Sequence, residues 1–406
     1  MDRLPVATFD LPAAELRRGY RSAIYFHRAR RIAAAHPEID QRRVLMQVFQ
    51  KRDAVLCGID EAIAVLRVGT GRWRDEHAAE QLFDRFLEAK FASRGAGRDN
   101  RRAAVKATME LEEQLDDQWI GEWSELAVTA LHDGDAVSPW ETVAHIDGRY
   151  SSFAHLESVY LGVLARRTLV ATNTRRVVEA SNGKPVLFFA DRFDHWSTQG
   201  GDGYAAHVGG AASVASDAMA AWWGERAMGT IPHALIAFFD GDTVAATGAF
   251  QHEFPSADLI ALVDFDNDCA ATALACAEEF GPALWGVRID TSENMVDRSI
   301  AGDSTQPVGR PIGDFRPTGV NPVLVEHVRA TLDRAGHEHV RIIVSGGFNP
   351  ERITEFEALD VPVDAYAVGS SLLRGQNDYT ADIVSPTSKA GRWLRPNPRL
   401  APVIDG

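Results

Sequence analysis

From about residue 153 to residue 375 the chain alternates helix-like and strand-like segments without a long interruption. A helical pattern over 156–175 is followed by Val186-Leu187-Phe188-Phe189, a buried strand that runs out at Asp191-Arg192. A helix is expected over 213–223 and a strand over 259–263, ending at Asp264. The next helix, 269–280, is closed by Gly281-Pro282, and the strand 284–289 ends at Asp290. Asn321-Pro322 then opens a helix with a cap and an N1 proline, and Gly336 closes it. Two final strands, 341–344 and 363–368, run into Ser345-Gly346-Gly347 and Gly369-Ser370, with a helix over 350–359 between them. Strands joined through helices pair in parallel, and this much alternation suits a β/α barrel better than half of a dinucleotide fold. The one GxG, Gly201-Asp202-Gly203, does not directly follow a clear strand, so a dinucleotide fingerprint is not supported.

The first 150 residues read differently. A strand over 44–49, a helix over 60–66 after Gly58, charged helices over 72–125 broken near 93–100, and strand-like 126–146 with a turn at Asp133-Gly134-Asp135 describe an α+β domain. The expected division is an N-terminal domain, 1–150, and a barrel domain with a C-terminal tail, 151–406.

A chain of 406 residues with 45% hydrophobic and 24% charged content can bury a large core. Its net charge of −15 repels nucleic acid and anionic membranes, so an anionic ligand must be met by local arginines. Three cysteines without a CxxC pair fit a reducing compartment and argue against a zinc knuckle. No apolar run reaches the roughly 18 residues a membrane span needs, and the first residues do not read as a signal peptide; a cytoplasmic protein is expected.

In barrels, chemistry collects where strands end. Here those ends carry Arg192, Asp264, Arg288 with Asp290, Ser345-Gly346-Gly347 and Gly369-Ser370. Small-residue loops after the last two strands can cradle a phosphate with backbone N–H groups, and arginines clamp phosphate oxygens bidentately. Carboxylates can hold Mg²⁺ when the substrate brings its own phosphates. Singly, each Asp is as good a helix cap as a ligand, and Ser-Gly-Gly is a common tight turn; jointly they point to a diphosphate-bearing substrate. His233, in Gly229-Thr230-Ile231-Pro232-His233-Ala234, reads either as a helix-start residue that packs or caps, or as a nucleophilic or phosphate-contacting imidazole. Tyr25-Phe26, among Arg21, Arg28, Arg30 and Arg31, reads either as part of an amphipathic helix or as an aromatic that stacks on a flat ring; Phe189 is either core or the other side of such a sandwich. Trp222-Trp223 reads as core or interface.

These residues, in this order and spacing, resemble the nicotinate phosphoribosyltransferases of the type II phosphoribosyltransferase fold. The resemblance runs from about residue 22 to residue 383. It is carried by Tyr25-Phe26-x-Arg28, Phe189-x-x-Arg192, Gly229-Thr230-x-x-His233-Ala234 and Leu262-Val263-Asp264, then by Val287-Arg288-Ile289-Asp290-Thr291, Ile343-Val344-Ser345-Gly346-Gly347 and Ala367-Val368-Gly369-Ser370-Ser371-Leu372. It implies an irregular, incomplete β/α barrel beside an N-terminal α/β sandwich domain, working as a homodimer with a shared active site. It implies transfer of the phosphoribosyl group of 5-phosphoribosyl 1-diphosphate to nicotinate, in NAD biosynthesis by salvage. The resemblance further implies coupling to ATP as co-substrate, with Mg²⁺ as cofactor. His233 matches the family's phosphorylated histidine. Phe189 and Tyr25 match the residues that sandwich the pyridine ring, Tyr25 reaching in from the partner subunit. Arg192 and Arg288 match substrate-contacting arginines, and Asp290 the acid beside them. The two loops match the phosphate-binding loops, and a pocket group near Ser213 or Asp290 would tell ring carboxylate from amide.

The chain departs from the family pattern at two turns. After Asp264 it reads Phe265-Asp266-Asn267-Asp268, which makes Asp268, with Asp266 as the alternative, the candidate for a second metal-binding acid. After Asp290 it reads Thr291-Ser292-Glu293-Asn294, and Glu293 would bring negative charge toward a phosphate site. Two other readings follow: nicotinamide phosphoribosyltransferase on the same scaffold, or a non-catalytic sensor of phosphoribosyl metabolites. Quinolinate phosphoribosyltransferases resemble the chain less, being shorter and lacking the His233 motif. A Schiff-base aldolase is disfavoured because Lys389 is the only lysine after Lys184.

Overall fold

The computed structural model describes residues 3–95, 97–301, 316–385 and 389–404. The chain divides into two compact units, Met1–Leu169 with Gln376–Gly406, and Val170–Gly375. No helix among the described residues is long and apolar enough to cross a membrane.

The first unit is built on a five-stranded antiparallel sheet. Its strands lie in the order Tyr379–Ile383, Arg43–Gln50, Thr142–Arg149, Ala127–Ala130, Ala401–Pro402. Helix Ile59–Gly69 packs its apolar residues into the same core as Met46, Val48, Val143 and Ile146. Asp133 caps that helix, accepting the Ile59 N–H at 2.9 Å. Helices Glu76–Gly95 and Arg98–Gln118 join through Phe83, Phe86, Leu111 and Leu115.

The C-terminal segment, read from sequence with the barrel, instead supplies both edge strands of this sheet. Gln50 pairs with Tyr379 and Met46 with Ile383, while Ala401 pairs with Ala130. Strands this short carry little local signal, and their partners lie more than 250 residues away, so only the tertiary register reveals them.

The second unit holds six strands, β1 (Val186–Phe188), β2 (Ser213–Val214), β3 (Leu259–Leu262), β4 (Leu284–Ile289), β5 (Arg341–Val344) and β6 (Ala365–Val368). All pair in parallel, in the order β3-β4-β5-β6-β1-β2. This is the sequential order of a barrel opened between β2 and β3. The incomplete β/α barrel expected from sequence is therefore the observed fold. Strand residues such as Val287, Ile289, Ile342, Val344 and Tyr366 are fully buried, as a parallel sheet covered by crossover helices requires.

One element differs from expectation. The segment 213–223, read as a single helix, begins as β2, with Leu187 opposite Ser213 and Phe188 opposite Val214. A short helix, Asp217–Ala220, follows only after Ser216, whose hydroxyl accepts the Met219 N–H. The sheet edge offered by β1 captures Ser213-Val214, and the Ser216 cap sets where helix starts. Gly201-Asp202-Gly203 lies inside helix Gln199–Gly209, which disposes of a dinucleotide turn there.

Candidate active site

Parallel strands deliver their C-terminal residues to one rim, and in the second unit that rim surrounds a cavity of about 470 Å³. It is lined by the ends of β1, β4, β5 and β6 and by the segment from Met228 to Ala234. Ten of the residues singled out from sequence face it: Phe189, Arg192, His233, Arg288, Asp290, Ser345, Gly346, Gly347, Gly369 and Ser370.

Local structure fixes each contribution. The Ser345 N–H donates to Ile289 O at 3.0 Å, extending the β4–β5 pairing, and the Ser345 hydroxyl donates to Asp290 Oδ1 at 2.7 Å. Gly346 and Gly347 then take φ of 84° and 73°, left-handed values that a side chain would strain. Arg352 braces this turn: its Nη1 donates to Gly346 O at 2.8 Å, its Nη2 donates to Val320 O, and its guanidinium lies 4.4 Å from the Phe348 ring centroid. Beyond the turn, Asn349 caps helix Pro350–Ala358 by accepting the Arg352 N–H at 2.9 Å. On the other side, Phe189 N–H donates to Val368 O at 2.8 Å and holds β1 against β6.

His233 is the first residue of helix His233–Phe238. Its Nε2 lies 2.9 Å from Asp264 Oδ2, and the Asp264 side chain is 6% exposed. The bond to Asp264 raises the His233 pKa above its ordinary value, partly opposed by burial. With Nε2–H donating to the carboxylate, Nδ1 carries the free lone pair. Arg288 is held below the usual arginine range by burial, against the pull of Asp290 and Asp264, and stays cationic. Its Nε is buried with no hydrogen-bond partner among the described residues, and its Nη2 reaches only Ile231 O, at 3.5 Å.

The remaining sequence candidates lie elsewhere. Asp264 stands behind His233 rather than on the cavity wall. Its Oδ1 is buried and unpartnered among the described residues, which suits a cation or its water. Asp268 caps helix Cys269–Phe280 through the Ala271 N–H. Ser213 sits on β2, its Oγ buried without a partner among the described residues and off the cavity lining. Tyr25 belongs to the first unit, on helix Ile24–Ala34, and is 62% exposed. Trp223, read as core or interface, stacks on His207 with centroids 4.7 Å apart.

The first divergent turn is tied to the segment that follows the second. Asn267, at φ 55°, donates its side-chain amide to Val296 O at 2.8 Å, and the Arg298 N–H donates to Asn267 O at 2.8 Å. Glu293 lines a separate hollow of about 230 Å³ with Arg316 and Arg352 and is not on the wall of the rim cavity. Sequence reading gave no site role to Asp191, Phe193, Met228 and Thr230, which also line the cavity. The signal for the first two was their adjacency to Arg192; Met228 lies on an irregular segment with no periodicity to read.

The nicotinate phosphoribosyltransferase pncB1 of Mycobacterium tuberculosis is 29% identical over 258 residues, 62% of this chain and 51% of that protein. The pncB2 protein of the same organism is 26% identical over 257 residues, 63% of this chain and 50% of that protein. The chain thus spans about half the length of the curated relatives it matches. Among solved structures, nicotinate-nucleotide pyrophosphorylase from Pyrococcus furiosus matches with a TM-score of 0.67 and 27% identity, covering 95% of this chain and 79% of that one. Human nicotinic acid phosphoribosyltransferase shares the fold, with a TM-score of 0.58 and 17% identity over 89% of this chain and 74% of that one. No protein-family model matches. An open parallel β/α barrel, alike in fold to these structures, is the type II phosphoribosyltransferase fold. Within that fold, the chain is similar in sequence to nicotinate phosphoribosyltransferases.

Proposed function

We propose that this chain is a nicotinate phosphoribosyltransferase, joining nicotinate to 5-phosphoribosyl 1-diphosphate to give nicotinate mononucleotide and diphosphate in NAD salvage. One observation carries the reading: two arginines and two glycine loops converge on a single cavity of about 470 Å³. Gly346-Gly347 and Gly369-Ser370 hold the 5-phosphate through backbone N–H groups. Arg192 and Arg288 meet the diphosphate, the buried Arg288 being the stronger because little water screens it. Phe189 supports the pyridine ring, and Tyr25 of a second copy closes over it in a homodimer.

The reaction then asks for placement rather than proton transfer. The ring nitrogen's lone pair forms a bond to the anomeric carbon as the bond to the diphosphate oxygen breaks, and the electron pair leaves with diphosphate. The product is a pyridinium, so no base is needed. Asp290, steadied by Ser345, lies where positive charge develops on the ribose. Mg²⁺ would be held by Asp264, whose Oδ1 is free for it, and by the substrate's phosphates; when bound it neutralises the departing diphosphate. Asp268, as a helix cap, serves at most through water.

ATP coupling falls to His233. Asp264 fixes the tautomer and leaves Nδ1 to accept the phosphoryl group, and the added charge biases the loops between substrate-binding and product-releasing arrangements. Three free thiols, all buried, support a cytoplasmic setting.

The test is direct. The purified protein is given 5-phosphoribosyl 1-diphosphate and Mg²⁺ with nicotinate, nicotinamide or quinolinate, each with and without ATP, and mononucleotide is measured. Nicotinate is expected to be the preferred substrate. No product from any of the three overturns the enzyme reading, and a preference for either of the others overturns the substrate.

A further inference from the structure

Phe193 follows Arg192 directly and lines the cavity while remaining 48% exposed. A half-exposed phenylalanine on a cavity wall it shares with arginines, acids and glycines serves a purpose other than core packing. Its ring lies against Gly369 so closely that a Cβ on that glycine would sit 2.5 Å from Phe193 Cε2 and 2.7 Å from Phe189 O. Gly369 is thus glycine because an aromatic ring and a backbone carbonyl occupy the space of a side chain. The Arg192 guanidinium stands 5.8 Å from the centroid of the same ring. One ring therefore touches both the second phosphate loop and a cation expected to meet the diphosphate.

The loop after β6 has a second anchor on its other flank. Ser371 donates its hydroxyl to Phe348 O at 2.8 Å, which ties the loop to the turn after β5. The Leu372 N–H donates to Gly369 O at 3.0 Å and closes the short turn itself. On the β1 side, the backbone bond from Phe189 to Val368 ends one residue before Gly369. Beyond that bond, the Phe193 ring is what packs on the loop.

We propose that Phe193 is a positioning residue that sets the second phosphate loop and Arg192 in register, so that one 5-phosphoribosyl 1-diphosphate engages both ends of the site together. The inference rests on the phosphoribosyl-transfer reading of the site. The phosphate end of the substrate bears on Gly369-Ser370 and the diphosphate end on Arg192, and Phe193 fixes the separation of the two. Without the ring, either end still binds, but the two no longer fit one ligand at once.

Calorimetric titration of the full-length protein with 5-phosphoribosyl 1-diphosphate and Mg²⁺, in the absence of any pyridine, tests this without turnover. Phe193→Ala should bind about tenfold more weakly, the scale of one lost aromatic contact. Phe193→Tyr, which keeps the ring, should stay within about twofold of wild type, and inorganic phosphate, which reaches only one end, should bind all three proteins alike. Phe193→Leu, expected between the two, gives the same reading should the alanine variant fail to fold. Wild-type affinity in Phe193→Ala, equal losses in the alanine and tyrosine variants, or an equal loss for inorganic phosphate overturns the positioning role and leaves the proposed activity standing. A wild-type protein that binds no 5-phosphoribosyl 1-diphosphate overturns both.

Discussion

His233 Nε2 lies 2.9 Å from Oδ2 of Asp264, a residue 31 positions further along the chain and at the end of a different structural element. The pair turns a half-exposed imidazole into an oriented one. Its bond also favours the imidazolium, so the folded-state pKa lies above the ordinary 6.5. The pair's contribution to stability is therefore full below about pH 6.5 and is lost as pH rises through the folded-state pKa.

A pH prediction follows for phosphoryl acceptance, which needs the neutral imidazole. The ATP-dependent part of the rate should fall as pH drops through the raised His233 pKa. Asp264→Asn should move that acid limb downward, toward the ordinary histidine value, in a profile of ATP-dependent minus ATP-independent turnover. A limb that stays in place would rule out the Asp264 bond as the cause. In His233→Ala the ATP-dependent part should vanish while a basal rate remains.

Arg288 is a buried cation with an unpaired Nε, a poor arrangement for stability and a good one for an anion. Arg288→Met should lower kcat/KM by about a hundred- to a thousandfold. The same change should leave Tm unchanged or raised, because a buried, incompletely paired charge has gone. Differential scanning calorimetry beside steady-state kinetics separates this from general unfolding.

At Gly346 the backbone sits at φ 84°. Gly346→Ala should cost about 1 kcal/mol in strain, a Tm decrease of about 2–4 °C for a unit of this size. It should raise KM for 5-phosphoribosyl 1-diphosphate more than KM for nicotinate, since the strained turn belongs to the phosphate end.

Tyr25 is exposed on its own chain, as a residue that serves a second copy has to be. Tyr25→Ala and Arg192→Ala proteins should each be inactive, yet mixing and reassembly should restore up to about a quarter of wild-type activity through heterodimers with one intact site. No recovery on mixing counts against a shared site.

Chains ended after residue 375 lose both edge strands of the first unit's sheet, with the buried Tyr379 in one of them and the buried Val384 just after it. They should aggregate on expression, by exposure of the unpaired Arg43–Gln50 and Ala127–Ala130 edges, and light scattering would show it.

Much of the barrel was legible in the sequence because its signals are local. The helix Cys269–Phe280 and the strand Leu284–Ile289 match the pattern residue for residue, since apolar runs, Asp caps and Gly-Pro stops act within a few positions. The rim residues were legible for the same reason: a parallel strand that ends in Arg288-Ile289-Asp290 must deliver them to the same edge as Ser345-Gly346-Gly347. The segment 213–223 was misread because a sheet edge elsewhere in the chain outweighs its own helical preference.

By itself, the sequence determined the strand–helix rhythm, the glycine turns and the residues at the strand ends, all products of backbone sterics and short-range periodicity. Only the tertiary structure decided that Asp264 turns to His233 while Asp268 caps a helix, that Glu293 lines a hollow apart from the rim cavity, that Phe193 packs on Gly369, and that the tail completes the antiparallel sheet. Those outcomes depend on which strand lies beside which and on where a buried polar or aromatic group finds its partner. Such choices are settled by packing between residues far apart in the chain, and no local pattern encodes them.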